Sequence, residues 1–203
     1  GFFLFREILR LRQAANHSKL AFPELESPSP KIELLRDLVT ELKAEGHHVL
    51  VFSTFVDLLE EARRVLDHAR IRTLMLTGDL PAGERQPIID AFQRGEADAF
   101  LISLKAGGVG LNLTKADHVV LLDPWWNPAA EEQAASRAHR IGQTRPVTVI
   151  RLIAADTVEE RILALQDRKR ELAEVVLSET DLAAKLTLDE LIDLVRGNDL
   201  PER

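Results

Sequence analysis

Five short apolar runs punctuate the chain, at 49–53, 71–76, 98–103, 117–122 and 147–153. Stretches with apolar residues at helical spacing lie between them, at about 55–69, 82–94 and 128–140. Brief apolar runs bounded by turn residues predict buried strands, and the longer periodic stretches predict amphipathic helices. Strands that alternate with helices imply βαβ units, hence an α/β fold whose parallel sheet is joined by right-handed crossovers. Ligands of such sheets bind at the loops beyond the carboxyl ends of the strands. Four segments with candidate chemistry fall there: Ser53-Thr54, Thr77-Gly78, Lys105 to Asn112, and Asp123 to Asn127.

Outside the alternating region the pattern changes. Phe2 to Asn16 predicts a helix, and FPELESPSP (Phe22 to Pro30), with three prolines in nine residues, predicts a linker. Ser29 and Pro30 suit an N-cap and first helical position, opening a helix to about Ala44 that stops near Gly46. Thr157 and Glu160 have the spacing of a capping box, opening a long charged helix to about Leu177. A short amphipathic helix is expected at Thr187 to Val195. The chain therefore divides into a lead-in helix and linker (1–30), an α/β lobe (31–155) and a C-terminal helical extension (156–203).

Composition narrows the chemistry. At 203 residues and 45% hydrophobic the chain suits one globular domain with a helical appendage. No apolar run has the length of a membrane span, and no secretory signal opens the sequence. It begins GFFLF without Met, which reads as a piece of something longer. With no cysteine there are no disulfides, thiolate metal sites or thiol nucleophiles. The six histidines lack metal-ligand spacing, so no metal site is expected. A net charge of −7 argues against nucleic acid at first sight. However, residues 154–203 hold 13 acidic and 7 basic side chains, leaving 20 against 19 in the rest. The lobe is nearly neutral, and would hold a DNA backbone through a few placed groups, weakly by itself.

Candidate chemistry concentrates in QAASRAHRIGQ (Gln133 to Gln143). Gln133, Arg137 and Arg140 follow i, i+4, i+7 spacing and would share one helix face among small alanines. Guanidiniums so placed can clamp a polyphosphate, because each stays charged and offers a planar fork of donors. The plain alternative is a solvated basic face. Glu131 and Glu132 are not spaced to pair with either arginine. KAGGVG (Lys105 to Gly110) follows a strand directly. Its glycines permit close backbone approach to a phosphate, or simply a tight turn, and without GK[ST] it is no Walker A loop. Of Trp125 and Trp126, one is expected in the core and the other directed elsewhere. Ser53-Thr54 and Thr77-Gly78 suit helix capping as readily as ligand binding. The last long helix carries an apolar face that suits covering the core.

FLISLKAGGVGLNLTKADHVVLLDPWWNPAAEEQAASRAHRIGQTRPVTVIRLI (Phe100 to Ile153) resembles the second RecA-like lobe of the Swi/Snf family of DNA-translocating ATPases, within helicase superfamily two. LISLKAGGVGLNLT is similar to motif V of the family, and QAASRAHRIGQ to motif VI. VLVFSTF (Val49 to Phe55) is similar to motif IV. LTGDLPAGERQPIIDAF and LRQAANHSKL are similar to further family segments, so the resemblance runs from about residue 8 to 175 in the family's order.

The resemblance implies a RecA-like parallel sheet with helices on both faces. It also implies an ATP hydrolase that moves along double-stranded DNA. Arg137 and Arg140 would be arginine fingers, with Gln133, Gly108, Gly110 and Asn112 near the nucleotide. Ser53, Thr54, Thr77, Gly78, Ser103 and Lys105 would lie along the DNA backbone. Trp125 or Trp126 would touch the minor groove or link the lobes. The C-terminal helix would brace the first lobe, or only cover this one. The P-loop, the Mg²⁺ ligands and the general base belong to a first RecA-like lobe, which this sequence does not contain, so the isolated chain is expected to be inactive. Location would follow the DNA: nucleoid and cytoplasm in a bacterium, nucleus in a eukaryote, with the alanine-rich composition favouring the former. Two other readings stand beside it, a non-catalytic RecA-like protein-interaction module and a lobe of a strand-separating RNA or DNA helicase. Arg145, just beyond the motif, is expected to tolerate alanine.

Overall fold

The structure, a computed structural model, describes residues 2–25, 27–107, 111–136, 138, 145–175 and 192. Five strands, β1 (Val49–Ser53), β2 (Thr73–Leu76), β3 (Ala99–Ser103), β4 (His118–Leu121) and β5 (Thr148–Arg151), form one sheet in the order β2-β3-β1-β4-β5. Every pairing is parallel. β1 lies at the centre and is buried along its whole length. Its continuous apolar run is what a strand covered on both faces requires.

Alternate residues of the strands supply two cores. Leu50, Phe52, Phe100, Ile102, Val119 and Leu121 face α5 (Ala82–Gln93) and α7 (Pro128–Ala135), meeting Ile89, Phe92 and Ala134 there. Val49, Val51, Leu101 and Val120 face α3 (Pro30–Ala44) and α4 (Val56–His68), against Leu35, Val39, Leu59 and Leu66. The period-two alternation of a strand thus divides the apolar residues between two helical layers, as a three-layer α/β sandwich needs.

The ends of α3 follow from sequence. The Ser29 hydroxyl accepts from Ile32 N at 3.3 Å, and Pro30 occupies the first turn, where no donor is lost. At the other end Gly46 takes φ +81°, and His47 N donates to Leu42 O at 2.9 Å, the six-to-one bond of a Schellman motif. Only glycine adopts that dihedral without strain.

Outside the sandwich, α1 (Phe2–Asn16) packs against the short α2 (Ser18–Ala21) and against α8 (Val158–Val175). Val158, Ile162 and Leu165, at i, i+4 and i+7 on α8, pack against the half-buried Trp126. The helix therefore does cover a core. Among the described residues no helix is long and apolar enough to cross a membrane.

Several boundaries differ from expectation for local reasons. β2 begins at Thr73, not 71, because Arg72 N is taken by the Asp98 carboxylate at 3.0 Å before the ladder starts. KAGG is not a loop directly after β3 but opens with one helical turn, α6 (Leu104–Gly107), and Ala106 N reaches the Ser103 hydroxyl at 3.4 Å. The described helix α7 runs to Ala135, and of the rest of the extent expected to 140 only Ser136 and Ala138 lie within the described residues. Ser136 Oγ donates to Gln133 O at 2.7 Å. The capping box closes out of register: Thr157 Oγ1 accepts from Glu159 N at 3.1 Å, and the Glu160 carboxylate accepts from Asp156 N at 2.9 Å. The helix expected at 187–195 lies outside the described residues except for Ile192.

Candidate functional site at the carboxyl edge of the sheet

The register brings three of the expected segments to one edge. Ser53 lies opposite Ser103, and Leu76 opposite Ile102, so β2, β3 and β1 finish side by side. Just beyond them stand Thr77-Gly78, Lys105 and Thr54. A Cβ on Gly78 would fall 3.1 Å from Lys105 Cβ, so a glycine there lets the β2 turn approach α6. Arg85 holds that turn from below, donating to Gly78 O and Leu80 O, each at 2.9 Å. Lys105 itself is exposed, its charge free to face a polyanion.

Ser53 and Ser103 are different. Ser53 is wholly buried and its hydroxyl donates to Asp123 Oδ1 at 2.6 Å. Ser103 is 3% exposed. Both hydroxyls turn into the lobe, the Ser103 one accepting from Ala106 N at 3.4 Å, so at these two positions any approach to a DNA backbone would fall to main-chain atoms. Thr54 keeps partial exposure, but its hydroxyl donates to Asp123 Oδ2 and its backbone N–H to Oδ1 at 3.0 Å.

Asp123 is the hub of this edge. Arg12 of α1 donates to its Oδ2 at 2.9 Å, to Pro124 O at 3.2 Å and to Thr54 Oγ1 at 3.1 Å. The same guanidinium lies 5.0 Å from the Phe55 ring centre and 5.3 Å from that of Trp126. Asn16 Nδ2 donates to Arg12 O at 2.8 Å and its Oδ1 accepts from Lys31 Nζ at 2.9 Å. Lys31 also reaches Leu122 O at 2.8 Å and Glu159 at 2.6 and 2.7 Å. Burial lowers both the Arg12 and Lys31 affinities for protons, opposed by Asp123 and Glu159, and burial raises Glu159, opposed by Lys31. The network ties α1, α3, the ends of β1 and β4, and α8 into one unit.

A second buried carboxylate supports the loop after β4. Glu131 accepts from Trp125 N at 2.9 Å and from Gln166 Nε2 at 2.8 Å, and its other oxygen from Arg151 at 2.8 Å. Glu131 is thus paired with Arg151 of β5 rather than left to solvent.

The tryptophans diverge as expected. Trp125 packs in the core, edge-on to Phe52 at 6.2 Å, while Trp126 stays half-buried between α8 and Arg12. Trp126 therefore links elements of this lobe. Gln133 and Asn112 are exposed. Gly108, Gly110, Arg137 and Arg140 lie outside the described residues; between the two arginines, Ala138 is buried in the core.

The sequence marked Asp123 only as the start of a candidate segment, and it gave no such role to Arg12, Lys31, Glu131, Glu159 or Gln166. Arg12 and Asn16 do fall in LRQAANHSKL, and Asp123 opens DPWWNP, so the segments were visible while the pairing was not.

A parallel sheet with a polar carboxyl edge, supported from behind by a lead-in helix, has the architecture of a RecA-like lobe. The helicase conserved C-terminal domain family matches residues 30–142, more than half of the chain, and the chain belongs to that family. It is 37% identical over 191 residues to the putative ATP-dependent helicase/translocase YwqA of Bacillus subtilis, covering 91% of this chain and 21% of that protein. It is 42% identical to the chromatin-remodeling ATPase INO80 of Mus musculus, covering 84% of this chain and 11% of that protein. Among solved structures, a Sulfolobus solfataricus SWI2/SNF2 ATPase core domain superposes with a TM-score of 0.72 at 34% identity, over 92% of this chain and 39% of that one. The C-terminal part of the Fun30 ATPase domain gives 0.71 at 30%, over 93% and 60%. The chain is a helicase C-terminal, RecA-like lobe similar to the second lobe of Swi/Snf-type ATPase cores, and it spans only about a tenth to a fifth of these curated relatives.

Proposed function

We propose that this lobe is the second half of a motor that hydrolyses ATP while moving along double-stranded DNA. The observation that carries this reading is the ledge that Thr54, Thr77-Gly78 and Lys105 form just beyond the ends of three neighbouring strands. Asp123 holds both donors of Thr54, so the half-buried Thr77-Gly78 turn and the exposed Lys105 cation beside it are what suit the phosphates of a single DNA strand. Arg137 and Arg140, with Gln133, Asn112, Gly108 and Gly110, would face ATP in a cleft completed by the first RecA-like lobe. Forked guanidiniums there stabilise charge that develops on the transferring phosphoryl group.

Mg²⁺ does not fit the described residues where β1 and β4 end. The one carboxylate at the ends of the central strands, Asp123, is fully buried and taken by Ser53, Thr54 and Arg12. On this reading the metal and the group that polarises water would be held by the first lobe. The lobe alone should show no ATP turnover with duplex DNA present. In the protein carrying both lobes, ATPase stimulated by duplex DNA and not by single-stranded RNA supports this reading. Stimulation by single-stranded RNA alone favours a strand-separating helicase, and no ATPase at all favours a protein-interaction module.

A further inference from the structure

At the opposite, amino-terminal edge of the sheet, three side chains converge that the motor reading does not use. Val49 of β1 pairs with His118 of β4, which brings His47 and Asp117 alongside. Asp117 N and His118 N both donate to His48 O, at 3.3 and 3.4 Å, and Thr148 N donates to Asp117 O at 2.9 Å. Their backbones are therefore fixed by the sheet. His47 Nδ1 lies 2.7 Å from Asp117 Oδ2, and His118 Nδ1 lies 2.9 Å from Asp117 Oδ1. One ligand atom from each residue falls within 4.8 Å of the others. Along the sequence these histidines are far apart, which is why their spacing suggested no metal site.

We propose that His47, Asp117 and His118 form a binding site for a divalent transition metal of the Zn²⁺ class. Two imidazoles and one carboxylate are the donors such an ion takes in three-ligand protein sites, with water completing the shell. Mg²⁺ and Ca²⁺ favour all-oxygen sets and are poor candidates. The ligands are already close. Each ring turns the same nitrogen to the carboxylate, and ring centres lie 4.6 Å apart at 62°. A small outward shift of each opens the gap an ion needs.

The surroundings suit this chemistry. When Nδ1 of His47 binds the ion, its ring proton moves to Nε2, and Glu45 Oε2 stands 3.6 Å from that atom. A carboxylate behind a ligating imidazole is the usual support for this tautomer. A neutral imidazole stays neutral in this exchange, and a protonated one releases one proton. Arg145 donates to Asp117 Oδ2 at 3.1 Å, which leaves Oδ1 for the ion. Its guanidinium is largely exposed and opposes the ion's charge, so binding should be modest. A bound ion would join the approach to β1, the start of β4 and, through Arg145, the approach to β5.

The test is titration of the chain with Zn²⁺ against a competing chromophoric chelator at neutral pH, with Co²⁺ as the absorbing probe. The expected result is one equivalent bound, with affinity lowered at least about tenfold in His47→Ala and in His118→Ala. His48→Ala is the control, since its ring turns instead toward Phe92, 6.1 Å away. In the unaltered chain, Zn²⁺ should shift the imidazole resonances of His47 and His118, a readout that does not depend on a variant folding. No saturable binding, shifts confined to other histidines, or equal affinity in the His47→Ala/His118→Ala double variant would overturn the site.

Discussion

Arg12 and Asp123 meet at 2.9 Å across 111 residues of sequence, and both side chains are almost excluded from water. A buried ion pair is costly to assemble, and removing one partner strands the other charge. Asp123→Ala leaves Arg12 with only the Pro124 carbonyl and Thr54 hydroxyl as acceptors. Urea denaturation should show a loss of about 3–5 kcal/mol. A loss under about 1 kcal/mol, in the range of an exposed pair, would mean that the pair is solvated.

Lys31 and Glu159 make the same argument in a form that separates pairing from packing. Glu159→Ala should destabilise by about 3–5 kcal/mol, whereas Lys31→Met with Glu159→Leu should recover much of that loss, since apolar replacements of similar volume are often neutral. Asn16 Oδ1 and Leu122 O lose a donor in the double variant, so recovery should be incomplete. A double variant as unstable as the single one would contradict the charge-stranding account.

Acid stability should fall in a defined window. Burial opposes ionisation of Asp98, but hydrogen bonds from Arg72 and Lys43 outweigh it and bring its pKa down to about 2. Burial likewise opposes ionisation of Asp117, and His118, His47 and Arg145 outweigh it, again to about 2. A carboxylate depressed in the folded state contributes stability that is complete above its unfolded value, near 3.8, and is lost as pH falls toward 2. Thermal midpoints should therefore decline between about pH 4 and 2, and Asp98→Asn should flatten that decline while lowering stability at neutral pH. An unchanged slope in the variant would rule Asp98 out.

The periodic features of the fold were legible because they are local. Each strand sits within two residues of its apolar run, and Ser29, Pro30 and Gly46 mark the ends of α3 by their own backbone chemistry. Nothing local announces that Lys31 would reach Glu159, 128 residues away, or that Ser53 would turn its hydroxyl inward to Asp123. Those depend on which strand ends become neighbours, and strand order is set by the whole sheet. The same cause hid the role of Arg145, which reads as a spare surface charge but carries Asp117. Arg94, exposed and paired with nearby Glu96, is the better arginine control.

Lys105 should matter for DNA through charge alone. Lys105→Ala is expected to weaken duplex binding by the lobe uniformly across sequences and to reduce the salt slope by about 1. Fluorescence anisotropy over a salt series measures both. Wild-type binding should be no tighter than about 10⁻⁴–10⁻⁶ M, as for non-specific contacts. An unaltered slope would remove Lys105 from the ledge.

The claim that this lobe completes an ATP site rests most directly on Arg140, and steady-state ATPase kinetics of Arg140→Ala in the protein carrying both lobes tests it. A guanidinium that acts on the transition state should cost roughly 10³–10⁵ in kcat when removed, with much smaller changes in ATP and DNA affinity. Arg137→Ala should behave similarly, Arg140→Lys should not rescue because a point charge cannot replace the fork, and Arg94→Ala should be silent. Wild-type kcat in Arg137→Ala and Arg140→Ala, with folding intact by circular dichroism, would contradict the account and leave those arginines as a solvated surface.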